Sequence, residues 1–183
     1  MDVVALAIPD VKLITPRRFA DARGIFCETY VRRRYVEAGI ADDFVQENQS
    51  VSKVAGTVRA LHFQTPPYAQ AKLVRCVRGR IFDVAVDLRS GSPTFGRHVT
   101  AELTSENWRQ LYVPAGFGHG FVTLEPDTEV IYQVTAYYAP DCDRGIAWND
   151  PDLGIDWPLG GRQPVLSDKD QRLPRLKDVA LPF

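Results

Sequence analysis

The sequence predicts an all-β fold, a jelly-roll double-sheet barrel with a few short helices. Three observations carry this. One stretch alternates with a period of two, several other short runs are β-branched or aromatic, and Gly/Pro turns punctuate them. The alternating stretch runs from Arg80 to Arg89, with Phe82, Val84, Val86 and Leu88 on one face and Asp83, Asp87 and Arg89 on the other.

The remaining strands are expected at Leu61 to Phe63, Lys72 to Val77, His98 to Leu103, Gln110 to Val113 and Thr128 to Tyr138. Thr65-Pro66-Pro67, Arg78-Gly79, Ser90-Gly91-Ser92-Pro93, Pro114-Ala115-Gly116 and Glu125-Pro126-Asp127 separate them, because Gly and Pro supply the dihedrals of tight turns. One internal helix is expected from Tyr30 to Ala38, stopped by Gly39. From Gly160 the chain is rich in Pro and charge, and it is expected to wrap the barrel, with a helical turn starting near Ser167. No repeat or linker interrupts the pattern, so residues 1–183 are taken as a single domain.

Of the 183 residues 45% are hydrophobic and 25% charged, with a formal net charge of -1. This balance argues against a nucleic-acid-binding surface. No apolar run approaches the ~18 residues of a membrane span, and Asp10 and Lys12 interrupt the apolar start too early for a signal peptide. Three widely spaced cysteines, Cys27, Cys76 and Cys142, suggest a reduced, cytoplasmic protein with buried thiols. Cys27 has no His or Cys partner nearby and reads as a packing residue.

Only three histidines occur. On an ideal strand His62 shares a face with Val58, Ala60 and Gln64. Facing a barrel interior it is a candidate base, although a single such residue is more often a satisfied core histidine. His119, in Gly116-Phe117-Gly118-His119-Gly120, is expected at a strand entrance near the barrel mouth. His98 reads as a surface residue. Two candidate histidines without a third ligand are too few for an ordinary zinc site, so no metal is expected. Tyr132 and Tyr138 share one face of their expected strand, where a tyrosine is usually core but could act as a general acid opposite a histidine. Lys72 shares parity with Val74 and Cys76, and an inward lysine is costly unless it sits at a rim or meets a ligand. Asp170 would ordinarily be dismissed as a charged tail residue.

Taken together, Asp21-Ala22-Arg23-Gly24-Ile25-Phe26-Cys27-Glu28, Gln46-Glu47-Asn48-Gln49-Ser50, Arg59-Ala60-Leu61-His62-Phe63-Gln64, Gln70-Ala71-Lys72-Leu73-Val74, Pro114 to Phe121, Gly145 to Pro151 and Leu166-Ser167-Asp168-Lys169-Asp170 resemble the cupin-type dTDP-4-dehydrorhamnose 3,5-epimerase family. Each motif is weak alone, while their order over most of the chain is specific. The resemblance implies a dTDP-4-keto-6-deoxy sugar substrate whose C4 ketone acidifies C3 and C5, so that no cofactor is needed. It implies His62 as base, Asp170 as its orienting carboxylate, Lys72 at the enolate oxygen and Tyr132 as acid on the opposite face. Arg59 and Lys169 are implied as sugar or diphosphate contacts, with Gln46, Asn48, His119 and Asp143 around the substrate. Phe19, Phe26 and Tyr138 are implied as aromatic packing around the base and sugar, and Arg23 and Glu28 match positions that in the family reach the nucleotide of the neighbouring subunit of a homodimer.

Parity puts Arg59 opposite His62, so a shared site requires a bulge or twist between them. Three departures from the family pattern stand out: Ala60 for a usual Gly, with a methyl that could narrow the cavity, Gly118 for a common Ala, and Asp143 for a common Glu. They leave open an enzyme that epimerises only C3 or only C5. A 3,4-ketoisomerase and a non-catalytic sugar-nucleotide-binding cupin are the other readings, the last disfavoured because base and acid are both present.

Overall fold

The computed structural model describes residues 1–183. In chain order the strands are β1 (Asp2–Ala5), β2 (Lys12–Thr15), β3 (Arg18–Asp21), β4 (Gly24–Cys27), β5 (Gln46–Ser52), β6 (Val58–Gln64), β7 (Lys72–Arg78), β8 (Arg80–Asp87), β9 (His98–Thr104), β10 (Gln110–Val113), β11 (Phe117–Thr123), β12 (Thr128–Val134) and β13 (Asp143–Gly145). One short helix, α1 (Arg32–Glu37), lies between β4 and β5. A six-stranded sheet has the order β1-β2-β10-β7-β12-β5 and a five-stranded sheet the order β13-β6-β11-β8-β9, while β3 and β4 form a separate hairpin. The sheets are antiparallel, and together they make the expected jelly-roll barrel of cupin type.

Three apolar layers result. Val74, Cys76, Leu111 and Val130 of the larger sheet meet Ile81, Ala85, Val99, Phe117 and Phe121 of the smaller one inside the barrel. Behind the smaller sheet, Val58, Leu61, Val84, Val86 and Ile146 are covered by Leu166, Leu176, Val179 and Phe183 of the C-terminal tail. Behind the larger sheet, Tyr35 and Ile40 cover Ile14, Leu73 and Tyr112. Removing each large side chain from water contributes about 1.5–3 kcal/mol, so both outer layers add to holding the sheets in place.

Strand β8 is therefore buried on both sides. Phe82, Val84, Val86 and Leu88 face the tail-covered layer, whereas Ile81, Asp83, Ala85 and Asp87 face inward, and both aspartates are 0% exposed. Alternation here separates two interiors rather than a core from solvent.

Several boundaries differ from expectation. The strand expected to reach Tyr138 stops at Val134, where its pairing with Gln46 of β5 ends; beyond it the backbone has no ladder partner, and Tyr138 is exposed. α1 is shorter than Tyr30 to Ala38, having no side-chain cap at Val31, and the chain leaves it at Gly39 with φ +77°. β5 escaped the sequence because it is polar on both faces. Of the thiols only Cys76 is fully buried; Cys27 and Cys142 are half-buried, and all three are free. His98 is likewise half-buried in β9. No helix is long and apolar enough to cross a membrane.

Candidate active site

A cavity of about 400 Å³ opens between the two sheets at one end of the barrel. β6 and β11 supply His62, Arg59 and His119 from the smaller sheet. β5, β7 and β12 supply Gln46, Asn48, Lys72 and Tyr132 from the larger one.

The irregularity that parity demands on β6 is present. His62 pairs with His119 of β11, but Arg59 pairs with Phe121, so the register shifts between them. As a result Arg59 and His62 both line the cavity, while Ala60 and Leu61 turn to the layer behind the sheet. This corrects the expectation that Ala60 shares the face of His62 and narrows the cavity. Ala60 is fully buried, and its methyl lies against Gly120. A Cβ on Gly120 would lie 2.5 Å from the Ala60 Cβ and 2.8 Å from the Arg59 carbonyl oxygen, so the close approach of the strands requires glycine there.

Nε2 of His62 lies 2.8 Å from Oδ1 of Asp170, with the histidine side chain 27% exposed and the aspartate 5%. The base is thus open to a ligand and its carboxylate shielded. That oxygen has no hydrogen-bond partner of good geometry, so the two groups are in close contact without a formed hydrogen bond. Asp170 reaches this place because a 3-10 turn, Asp170–Arg172, folds over Ser167, whose Oγ accepts the Asp170 N–H at 3.1 Å.

Lys72 is 6% exposed. Its Nζ donates to the His62 carbonyl oxygen at 3.1 Å and has no carboxylate within ion-pair distance. Burial pulls its pKa down to about 8, against the opposing charges of Asp83 and Asp143. The ammonium form still dominates at neutral pH. Neither rim nor solvent receives this amine; it is held in the cavity wall.

His119 is buried, and its Nε2 lies 2.7 Å from Oδ1 of Asp83. With a carboxylate as acceptor, Nε2 carries the proton. Burial depresses the imidazole pKa by more than Asp83 restores, which keeps the ring neutral at pH 7. His119 is thus neither at a strand entrance nor in a turn, but in the middle of β11.

Across the cavity Tyr132 sits opposite Asn48 in the β5–β12 ladder. Burial raises its pKa, so its hydroxyl keeps its proton. The Gln46 amide donates to Asn48 Oδ1 at 2.8 Å, and its Oε1 accepts the Tyr138 N–H at 3.1 Å. At the rim, the Tyr138 hydroxyl donates to Asp143 Oδ2 at 3.1 Å, and Lys169 binds the same oxygen. Arg59 has no acidic partner; its only side-chain bond goes to Ser52 Oγ at 3.4 Å. An unpaired guanidinium at a cavity wall suits a phosphate or another anion.

Eleven of the sequence-derived residues therefore meet in one cavity: His62, Tyr132, Asp170, Lys72, Gln46, Asn48, Arg59, His119, Tyr138, Asp143 and Lys169. Four do not. Phe19, Arg23 and Phe26 lie on the projecting β3–β4 hairpin and Glu28 just after it, outside the cavity of their own chain. Arg23 pairs with Asp21, and Glu28 with Arg34. Asp83 was missed; its signal was an acid alternating with Ile81 and Ala85 on the second face of β8. Gln64 was also missed as a support. It donates to the Tyr68 and Tyr137 carbonyls and accepts the Ala139 N–H at 2.8 Å, which ties the rim loops to β6. No three His, Cys, Asp or Glu side chains are grouped so as to hold a metal.

The family model for dTDP-4-dehydrorhamnose 3,5-epimerase matches residues 5–178. A dTDP-4-dehydrorhamnose 3,5-epimerase of Sinorhizobium fredii is 53% identical over 180 residues, covering 98% of this chain and 91% of that protein. The crystal structure of the Bacillus anthracis dTDP-4-dehydrorhamnose 3,5-epimerase, with TDP and PPi bound, superposes with a TM-score of 0.92 at 48% identity, covering 95% and 98% of the two chains. That of a Legionella pneumophila dTDP-6-deoxy-D-glucose-3,5-epimerase, in complex with dTDP-4-keto-L-rhamnose, gives 0.94 at 43% identity, covering 98% and 94%.

Proposed function

The chain belongs to the dTDP-4-dehydrorhamnose 3,5-epimerase family, and on that premise we propose how its own residues invert C3 and C5 of dTDP-4-dehydro-6-deoxy-D-glucose to give dTDP-4-dehydro-L-rhamnose. The protein is an isomerase of sugar nucleotides. The observation that carries the residue assignment is the placement of His62, beside Asp170, on one sheet and of Tyr132 on the facing one, where Lys72 of the adjoining strand reaches across to the His62 carbonyl.

Inversion next to a ketone needs a base on one face of the carbon and an acid on the other. His62 removes the proton, and the Asp170 carboxylate stabilises the imidazolium that results. The electron pair moves into the C4 carbonyl, whose oxygen becomes an enolate stabilised by the Lys72 ammonium; one such donor is worth about 2.7–4 kcal/mol in the transition state. Tyr132, kept protonated by burial, returns a proton from the facing wall. One proton leaves and one arrives, so the step is redox-neutral and the ketone serves as electron sink. Arg59 and Lys169 hold the diphosphate, while Gln46, Asn48, His119 and Asp143 hold the sugar. Lys169 exchanges its Asp143 contact for the phosphate oxygens.

The remaining residues belong to an assembly. The β3–β4 hairpin exposes Phe19 and Phe26 at 43% and 65%, beside Arg23 and Glu28. We assign it to the nucleotide of a second copy, the whole chain acting as one unit in a cytoplasmic homodimer.

Incubation with dTDP-4-keto-6-deoxy-glucose in D₂O tests the chemistry. Deuterium enters C3 and C5, His62→Ala abolishes both exchanges, and Tyr132→Phe retains exchange while losing inversion. Full exchange by His62→Ala would assign the base elsewhere, and none by the parent protein would reject this substrate.

A further inference from the structure

Asp83 is 0% exposed, lies outside the roles assigned above and is incompletely partnered. One carboxylate oxygen accepts from His119; the other is buried with no hydrogen-bond partner. Leaving a carboxylate oxygen unpaired in an interior is costly, and a leucine or valine on this inward face of β8 would pack without that cost. The neighbours on the same face, Ile81 and Ala85, show what the barrel interior otherwise selects. Stability gives no reason for an acid here, but its surroundings do. Asp83 bonds His119 in the cavity wall on β11, and among the charges acting on Lys72 of β7 its own pulls most strongly toward the ammonium form.

We propose that Asp83 is a positioning residue for the reaction: its bond to Nε2 fixes which nitrogen His119 turns to the sugar, and its negative charge complements the Lys72 ammonium. This rests on the function proposed above. With Nε2–H committed to Asp83, Nδ1 is left as an acceptor, so neutral His119 receives a hydrogen bond from a sugar hydroxyl rather than competing with Lys72 for the enolate oxygen. The two cavity nitrogens thereby divide their work. Lys72 donates to developing negative charge, and His119 accepts.

The other ionisable groups lining this cavity are His62 and Arg59 on β6, Tyr132 on β12, Tyr138 in the rim loop, Asp143 on β13, and Lys169 and Asp170 on the tail. β5 presents only the neutral Gln46, Asn48 and Ser50. Of them all, Lys72 is the group whose deprotonation sets the basic limb of a turnover profile. Asp83→Asn is expected to move that limb to lower pH by about one pH unit or more and to reduce kcat at pH 8 about tenfold, with KM changed less than kcat. A purely structural role would lower kcat at every pH and leave the limb in place.

A second readout needs neither substrate nor variant. Nitrogen-15 spectra of the imidazoles in the substrate-free protein are expected to show His119 neutral and protonated on Nε2 at pH 7 to 8. A basic limb unmoved by Asp83→Asn, or a His119 ring protonated on Nδ1, overturns the proposal. Lack of turnover by the parent protein instead rejects the proposed substrate and leaves the imidazole readout to decide the role of Asp83, as it also does if Asp83→Asn fails to fold.

Discussion

Replacing Lys72 with methionine is expected to stabilise the folded protein while removing most of its turnover. In the native chain the ammonium is buried without a carboxylate in ion-pair range, and its pKa falls from 10.5 to about 8. At pH 7 that difference corresponds to roughly 3 kcal/mol of folding free energy lost to desolvation. Methionine fills a similar volume without charge and forfeits the bond to the His62 carbonyl, worth about 1 kcal/mol. The net expectation is a gain of about 2 kcal/mol, or a Tm raised by about 4–8 °C for a chain of this size. The sign follows from proton binding. Between pH 8 and 10.5 the unfolded chain holds a proton on Lys72 that the folded protein has released, so the parent gains stability as pH rises through that window. The advantage of the variant is therefore full below pH 8 and gone by about pH 10.5. Urea unfolding at pH 7 and pH 10, at matched protein concentration, measures both values, and kcat should fall about 10²–10³-fold. A variant less stable than its parent at pH 7, or a gap that does not shrink with pH, would refute the reasoning.

Three other outcomes are expected. Gly120→Ala forces β6 away from β11 and should lose about 3 kcal/mol in urea unfolding, along with turnover; Ala60→Gly does not rescue it, because the added Cβ still lies 2.7 Å from the residue-60 Cα. Asp87→Ala removes a fully buried carboxylate that accepts from Arg89 at 2.8 Å, Ser92 at 2.5 Å and Thr94 at 2.6 Å, with a loss of about 3 kcal/mol at pH 7. Burial works against the Asp87 carboxylate, but these bonds overcome it and hold its pKa far below the usual range. Its contribution is therefore present above about pH 4 and fades as acid reaches the folded pKa, so parent and variant converge in strongly acidic unfolding curves. Arg59→Ala should raise KM for the dTDP sugar about 10–100-fold with kcat changed much less, the pattern of a lost contact made equally to ground and transition states.

The barrel was legible wherever a strand has one apolar face. β7 to β10 and β12 carry that pattern, and the structure moves their ends by a few residues. β5 was not, because Gln46, Asn48 and Ser50 face the cavity and Glu47 and Gln49 lie on the opposite face, leaving no hydrophobic period to read. For the site, local pattern nominated His62, Lys72 and Tyr132, and parity correctly required an irregular β6. It could not locate that irregularity, because the register shift depends on how closely Gly120 lets β11 approach. Ala60 was misplaced for the same reason. Asp170 and Asp83 were opaque for opposite causes. One sits in a charged tail whose fold depends on the layer beneath it, and the other alternates with hydrophobic residues on a strand that proves to be buried on both sides.

The anchoring of Asp170 has a consequence for how this protein loses activity. The base is built into a barrel strand, yet its carboxylate arrives from the far half of the chain, on a segment held by apolar side chains and by scattered bonds at Val165, Pro174, Leu176 and Phe183 rather than by a continuous strand ladder. Segments of that kind open more readily than central strands. Each excursion of the tail takes the supporting carboxylate away from the base while every sheet stays intact. Working lifetime at elevated temperature is then set by how tightly the strap is fastened, and leucines 166 and 176, remote from any sugar, govern it.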